Sequence, residues 1–142
     1  MKFFIAAPWR SKTIVEGLHE ELTNRGYEVY SFLQSGANLS TGQSVAEELK
    51  VFTDAMQNWQ DDQNIKRVFE TEMEGLKACD AVILLQPAGH SSLLEAGIGY
   101  GMGKKIFIVG SIEKPEVFYL ISDRLYRDTT EFLNDLSRIA PK

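Results

Sequence analysis

The sequence predicts a single-domain α/β protein: an open, parallel, five-stranded sheet with helices on both faces, in a flavodoxin-like or Rossmann-like winding. Three observations predict it. The chain has 142 residues, which suits one domain with one core and is too short for two. Short apolar runs alternate with stretches of helical period, as βαβ units require. The strongest of those runs are apolar throughout, as expected of parallel strands covered on both faces.

Taken in order, Lys2–Ala7 (KFFIAA) is the first buried strand. Val15, Leu18 and Leu22 share one helical face within Ile14–Arg25, and Gly26 follows as a stop signal. Tyr27–Phe32 (YEVYSF) alternates and reads as the second strand. Ser35–Gly42 is a polar loop. Helical spacing returns from Val45 to about Gln57 and from Asn64 to Ala78. Ala81–Leu85 (AVILL) is a third strand, Ser92–Met102 a helix despite its glycines, and Ile106–Gly110 (IFIVG) a fourth strand. Pro115–Ile121 reads as a short helix, Arg124–Tyr126 as an edge strand and Thr130–Ile139 as a last helix.

Composition narrows the function classes. Apolar residues make up 44% and charged residues 25%, close to the globular average. The net charge of −5 and the lack of a basic stripe argue against a nucleic-acid polymer as partner. Every apolar run is well short of the about 18 residues that span a membrane, so no membrane partner is expected. The first residues read as a strand rather than a signal peptide. A lone Cys79 excludes an internal disulfide and fits a reducing cytoplasm.

In open parallel sheets, ligands bind outside the carboxyl ends of the strands. That rule directs attention to the loops after Ala7, Phe32 and Leu85. The last of these reads Gln86-Pro87-Ala88-Gly89-His90-Ser91-Ser92-Leu93-Leu94-Glu95. Gly89 permits a tight turn, and Ser91 and Ser92 are able to cap the helix that follows. The N-terminus of that helix suits an anion. On this reading Glu95 sits in the first turn, where the helix dipole helps to keep it ionised. An ionised carboxylate there suits a nucleophile toward a sugar carbon. The competing reading is structural: Ser92-Leu93-Leu94-Glu95 matches the S-x-x-E capping box, in which the glutamate only reaches back to a backbone N–H.

The remaining segments also carry two readings each. Pro8-Trp9-Arg10-Ser11 follows the first strand; Arg10, Ser11 and the loop N–H groups suit a phosphate and Trp9 a stacked base, or the loop is an ordinary solvated turn. Glu72 shares a helical side with Gly75 and Cys79, which turns it toward the sheet mouth, although Glu70, Glu72 and Glu74 together also suit a solvated face. Asp80 opens the third strand and reads as a turn residue. Trp59, in a polar connection, is either a satellite core residue or part of a lid. Gly97, Gly99, Gly101 and Gly103 before Lys104 do not form a phosphate loop, because the G-x-x-x-x-G-K-[ST] frame is not met; packing against the sheet is their expected role. His90 reads as a loop histidine, and with His19 the only other one, no histidine-based metal site and no cofactor are expected.

Taken together, these segments resemble one family. A strand ends in Ala6-Ala7-Pro8, and an acid (Glu72) stands eight residues before an Asp (Asp80) that opens an apolar strand. A Gly/Ser loop leads to Glu95-Ala96-Gly97, and Gly103-Lys104-Lys105 leads into the next strand. The pattern is similar to that of the nucleoside 2-deoxyribosyltransferase superfamily, which includes 2′-deoxynucleoside 5′-phosphate N-hydrolases and CMP hydrolases. The resemblance implies that Glu95 attacks the sugar C1′, displaces the base and forms a covalent glycosyl intermediate, resolved by a second base or by water. It implies that Glu72, where Asp is usual, contacts the base. It implies that Pro8, Trp9, Arg10, Ser11, Gly89, His90, Ser91 and Ser92 surround a small nucleoside or nucleotide. It further implies a homodimer or higher homo-oligomer, with a neighbouring subunit completing the site near Val117–Ile121. The 87–95 segment also resembles the P-G-G-x-G-T-x-x-E loop of the cytokinin-activating phosphoribohydrolases, at Pro87, Gly89 and Glu95. A non-catalytic nucleotide sensor on the same fold stands as the alternative.

Overall fold

The computed structural model describes residues 1–35 and 45–142; the loop expected over Ser35–Gly42 lies almost wholly outside them. The strands are β1 (Lys2–Ala6), β2 (Glu28–Ser31), β3 (Ala81–Leu85), β4 (Lys105–Val109) and β5 (Arg124–Tyr126). They form one sheet in the order β2-β1-β3-β4-β5, and every neighbouring pair is parallel. The helices are α1 (Lys12–Asn24), α2 (Val45–Ala55), α3 (Gln63–Ala78), α4 (His90–Gly101), α5 (Thr129–Asn134) and α6 (Leu136–Ile139). The expected five-stranded α/β architecture is the one observed.

Strand periodicity of two divides the core. Phe3, Ile5, Ile83 and Phe107 face α1, α5 and α6, where Val15, Leu18, Leu22, Phe132 and Leu136 cover them. Phe4, Ala6, Val82, Leu84, Ile106 and Ile108 face the other way, onto Leu76 of α3 and Ala96 of α4. Fully burying one such Leu, Ile or Phe contributes roughly 1.5–3 kcal/mol. Exposed ion pairs such as Arg25–Glu21 at 3.4 Å contribute about 1 kcal/mol at most. The two apolar layers therefore hold the fold.

The edge of the sheet away from the loops is tied by carboxylates. Asp80 accepts the backbone N–H of Lys2 at 2.7 Å, and Asp123 accepts that of Ile106 at 2.7 Å. Asp80 is thus a strand-to-strand tie rather than a turn residue.

Several element ends differ from the sequence expectation by one or two residues, and the differences in the second half of the chain are the larger ones. Helix α4 starts at His90, because Ser92 bonds back to Gly89 and closes the turn two residues early. The last helix is two short ones meeting at Asp135, whose carboxylate accepts the Tyr126 hydroxyl at 2.7 Å and pairs with Arg138. Between β4 and β5, Val117–Ile121 is a 3-10 turn.

Among the glycines weighed above, Gly99 is the one that packs: a Cβ there would lie 2.7 Å from Val82 Cγ2. Gly97 and Gly101 have open space at that position. Gly99→Ala is expected to destabilise the chain by about 1–3 kcal/mol through overpacking. Gly17→Ala, in α1 with no atom within 4 Å of the new Cβ, is expected to stabilise it by up to about 1 kcal/mol. Urea denaturation of both variants beside the parent chain checks the opposite signs.

Candidate active site

The strand order reverses between β1 and β3. The chain leaves β1 toward β2 on one side and returns to β3 on the other, so a crevice opens at their carboxyl ends. Two of the three loops singled out in the sequence meet there. A Cβ built on Gly89 would lie 3.3 Å from Pro8 Cβ. Arg10 Nη2 stands 3.5 Å from the carbonyl oxygens of Pro87 and Ala88. The Trp9 ring lies against Phe32, at the end of β2, with centroids 4.6 Å apart.

Beneath this mouth, on the α3/α4 face, lie the two acids. Gly75 of α3 approaches β2 so closely that a Cβ would fall 2.7–2.9 Å from the Tyr30 ring. Tyr30 is stacked on Phe4 of β1, with centroids 5.2 Å apart and an interplanar angle of 18°. Glu72 stands one turn before Gly75 on the same side of α3. Glu95 comes from α4, beside buried Ala96. Both carboxyls are partly buried. Burial pushes the Glu72 carboxyl up to about 7. Burial, and then the charge of Glu72, push Glu95 up to about 8. Ionisation of Glu72 thus makes ionisation of Glu95 harder.

This geometry overturns two expectations for Glu95. With α4 starting at His90, Glu95 lies in the second turn, beyond the last reach of the helix dipole. The capping position is taken by Ser92, whose Oγ accepts the Gly89 N–H at 2.7 Å and donates to the Gly89 carbonyl at 2.9 Å. Glu95 has no part in that cap. Desolvation, not the dipole, sets its proton affinity.

The other candidates are distributed unevenly. The Ser92 hydroxyl is engaged with Gly89 and buried, whereas Ser91 is exposed in the first turn. Ser11 is buried, and its N–H donates to the Pro8 carbonyl at 2.9 Å. His90 opens α4 rather than sitting in a loop, and it lines an open groove with Leu93, Leu94, Gly97 and Ile98. Trp59 is 54% exposed and so is no satellite core residue.

The structure adds two residues that sequence reasoning missed. Among the described residues, the buried side-chain polar atoms without a hydrogen-bond partner are Trp9 Nε1, Tyr30 Oη and Gln86 Nε2. All three are donors, and they stand at or near the carboxyl ends of β1, β2 and β3. A buried donor left unpaired costs about 1–3 kcal/mol, so the mouth suits a ligand rich in acceptor atoms. The strand-end rule pointed to this neighbourhood, but nothing local marked Tyr30 or Gln86 within it.

No family model and no curated protein matches the sequence. Solved structures do match the fold. The CMP N-glycosidase BcmB of Clostridium botulinum superposes with a TM-score of 0.59 at 19% identity, over 96% of this chain and 99% of that one. A 2-deoxyribosyltransferase from the psychrotolerant bacterium Bacillus psychrosaccharolyticus superposes with a TM-score of 0.67 at 15% identity, over 94% of this chain and 91% of that one. This chain shares its fold with both enzymes. Structural similarity thus meets the resemblance carried by Glu72, Asp80 and Glu95 in the sequence.

The acid pair also leaves a mark on stability. Each carboxyl binds its proton more tightly folded than unfolded, where the ordinary value is 4.5. The folded state is therefore favoured at low pH, and that advantage is lost as pH rises through about 7 to 8. The melting temperature is expected to fall from about pH 4.5 to about pH 8, and Glu72→Gln and Glu95→Gln to flatten that fall. Thermal melts of the three proteins across this range measure it.

Proposed function

We propose that this chain is an enzyme that cleaves or transfers the N-glycosidic bond of a (deoxy)nucleoside or nucleoside 5′-monophosphate. The reading rests on the partial burial of Glu72 on α3 and Glu95 on α4, on the same face of the sheet, where desolvation raises the proton affinity of both. The likeness to a CMP N-glycosidase and a 2-deoxyribosyltransferase supports the same reading.

In this proposal a bound nucleoside inverts the resting order, in which the charge of Glu72 keeps the proton on Glu95: Glu95 acts ionised and Glu72 protonated. A Glu95 oxygen bonds to C1′ as the C1′–N bond breaks, and the departing base takes the Glu72 proton. In the second step water, or the nitrogen of another base, attacks C1′ and releases Glu95, while the Glu72 carboxylate accepts the incoming proton. Pro8, Trp9, Arg10, Ser11, Gly89 and Ser91 line the sugar and any phosphate. Ser92 shapes the loop through Gly89, and His90 lies at its rim.

A homodimer completes the proposal. Leu94 is 66% exposed, Phe118 76% and Leu120 85%. The α4 groove of about 620 Å³ is lined by His90, Leu93, Leu94, Ile98 and Gly97, where no side chain holds a second helix away. A second copy of the chain presents the same small-and-apolar surface in return. Among the described residues no helix is long and apolar enough to cross a membrane, and the lone buried Cys79 supports a cytoplasmic setting.

Chromatography of reactions with a panel of nucleosides and monophosphates is expected to reveal free base. Glu95→Ala is expected to lower its release by more than about 10³-fold and Glu72→Gln by about 10²-fold or more, with the fold intact by circular dichroism. Base release by Glu95→Ala at the parent rate would remove Glu95 as nucleophile. Adding a second free base separates transfer from hydrolysis by product. Leu94→Asp is expected to convert a dimer to a monomer in sedimentation velocity; a parent chain that already sediments as a monomer refutes the dimer.

A further inference from the structure

We propose that His19 of α1 and Ser31 of β2 form an acid-sensitive latch on the β2 side of the mouth, which holds while the imidazole is neutral and lets go when it takes a proton. The inference does not rest on the reaction proposed above. It concerns the α1 face of the sheet, opposite the face that carries Glu72 and Glu95.

Hydrogen-bond accounting carries it. Ser31 ends β2 and is fully buried. Its Oγ stands 3.2 Å from His19 Nδ1 and accepts the Leu33 N–H at 3.4 Å. A backbone N–H only donates, so that contact uses a lone pair and leaves the hydroxyl proton to be placed. Among the described residues, His19 Nδ1 is the acceptor that Ser31 Oγ has within reach. The neutral imidazole therefore takes the Ser31 proton at Nδ1 and carries its own on Nε2, which reaches solvent. An imidazolium donates from both nitrogens. Its Nδ1–H faces Oγ, and the buried Ser31 proton loses its acceptor. A buried donor left unpaired is unfavourable, so the charged form disfavours the closed contact.

The latch holds the 3-10 turn Phe32–Gln34. Ser31 is its N-cap, and Gln34 Oε1 accepts the Ser31 N–H at 2.9 Å in return. Phe32, the first residue of the turn, packs on Trp9. One hydroxyl thus joins α1, the end of β2 and the aromatic wall of the mouth. Release of Ser31 loosens the cap, and with it the seat of Phe32 against Trp9.

Burial outweighs the charges around His19. On α1, Glu16 pairs with Lys12 at 3.9 Å and Glu21 with Arg25 at 3.4 Å, while Glu20 is exposed. On β2, Glu28 at the far end of the strand pairs with Lys2 at 3.6 Å. Arg10, just before α1, is turned to the Pro87 and Ala88 carbonyls. The Phe32–Gln34 turn carries no charge. Burial holds the imidazole below its ordinary value of 6.5, so the latch is closed at neutral pH and opens in mild acid. Glu72 and Glu95, at about 7 and about 8, titrate above that window.

Long-range ¹H–¹⁵N NMR of the whole chain reads both imidazoles, and His90→Gln assigns them. His19 is expected as the Nε2–H tautomer at about pH 7.5, with a titration midpoint below 6.5. Ser31→Ala removes the donor to the neutral ring, and the midpoint is expected to rise by about half to one pH unit, a roughly three- to tenfold gain in proton affinity. In a Trp59→Phe background Trp9 is the only tryptophan, and its emission is expected to change with the His19 midpoint. His19→Asn offers Oδ1 to the Ser31 hydroxyl and does not titrate. In that variant the emission is expected to stay constant from about pH 7 to about pH 5. Should Ser31→Ala fail to fold, the tautomer and midpoint of the parent chain and the two emission curves still decide. An Nδ1–H tautomer, a midpoint at or above 6.5, or an emission change that persists in His19→Asn overturns the latch. So does Trp9 emission that stays constant across the His19 midpoint.

Discussion

The functional half of this molecule depends on how closely α3 and α4 lie on the sheet. Contact at Gly75 and Gly99 is tighter than any side chain allows: one Cβ would meet the Tyr30 ring and the other Val82, each below 3 Å. Lifting either helix by the width of a methyl group would admit water along the same face. The Glu72 and Glu95 carboxyls would then return toward ordinary carboxylates, because desolvation is the first cause of both shifts. Backbone approach at two glycines thus favours the desolvation of both carboxyls.

Holding two partly buried carboxyls and three unpaired donors around one crevice is unfavourable for folding. The rest of the fold offsets it. Phe3, Phe4, Ile5, Ile83, Leu84, Ile106 and Ile108 are essentially excluded from water on the two faces of one sheet. Carboxylate ties from Asp80 and Asp123 pin the opposite ends of the strands. The candidate site lies at the carboxyl ends, as in other open parallel sheets.

Much of this was legible in the residues. Ala81–Leu85 was readable as a strand because five apolar residues in a row have no helical or exposed alternative of that length. The spacing of Glu72, Gly75 and Cys79 placed the acid on the inner side of its helix, where it is found. Glu95 was legible as a candidate but not in its environment. The S-x-x-E frame is a correct local pattern in the wrong register, because Ser92 bonds to Gly89 and shifts the helix start by two residues. Tyr30 was not legible at all. Its burial arises from contacts with Phe4 of one strand and Gly75 of a helix 45 positions along the chain.

By itself, the sequence determined the number of strands, their parallel pairing, the alternation with helices and the loops that meet at the mouth. Each follows from periodicities of two and 3.6 residues, which are local properties of the chain. The tertiary structure alone decided where α4 begins, which polar groups lose water and which acid feels the charge of another. Those outcomes depend on distances between residues remote in sequence, and burial, unlike periodicity, exists only once the layers have packed.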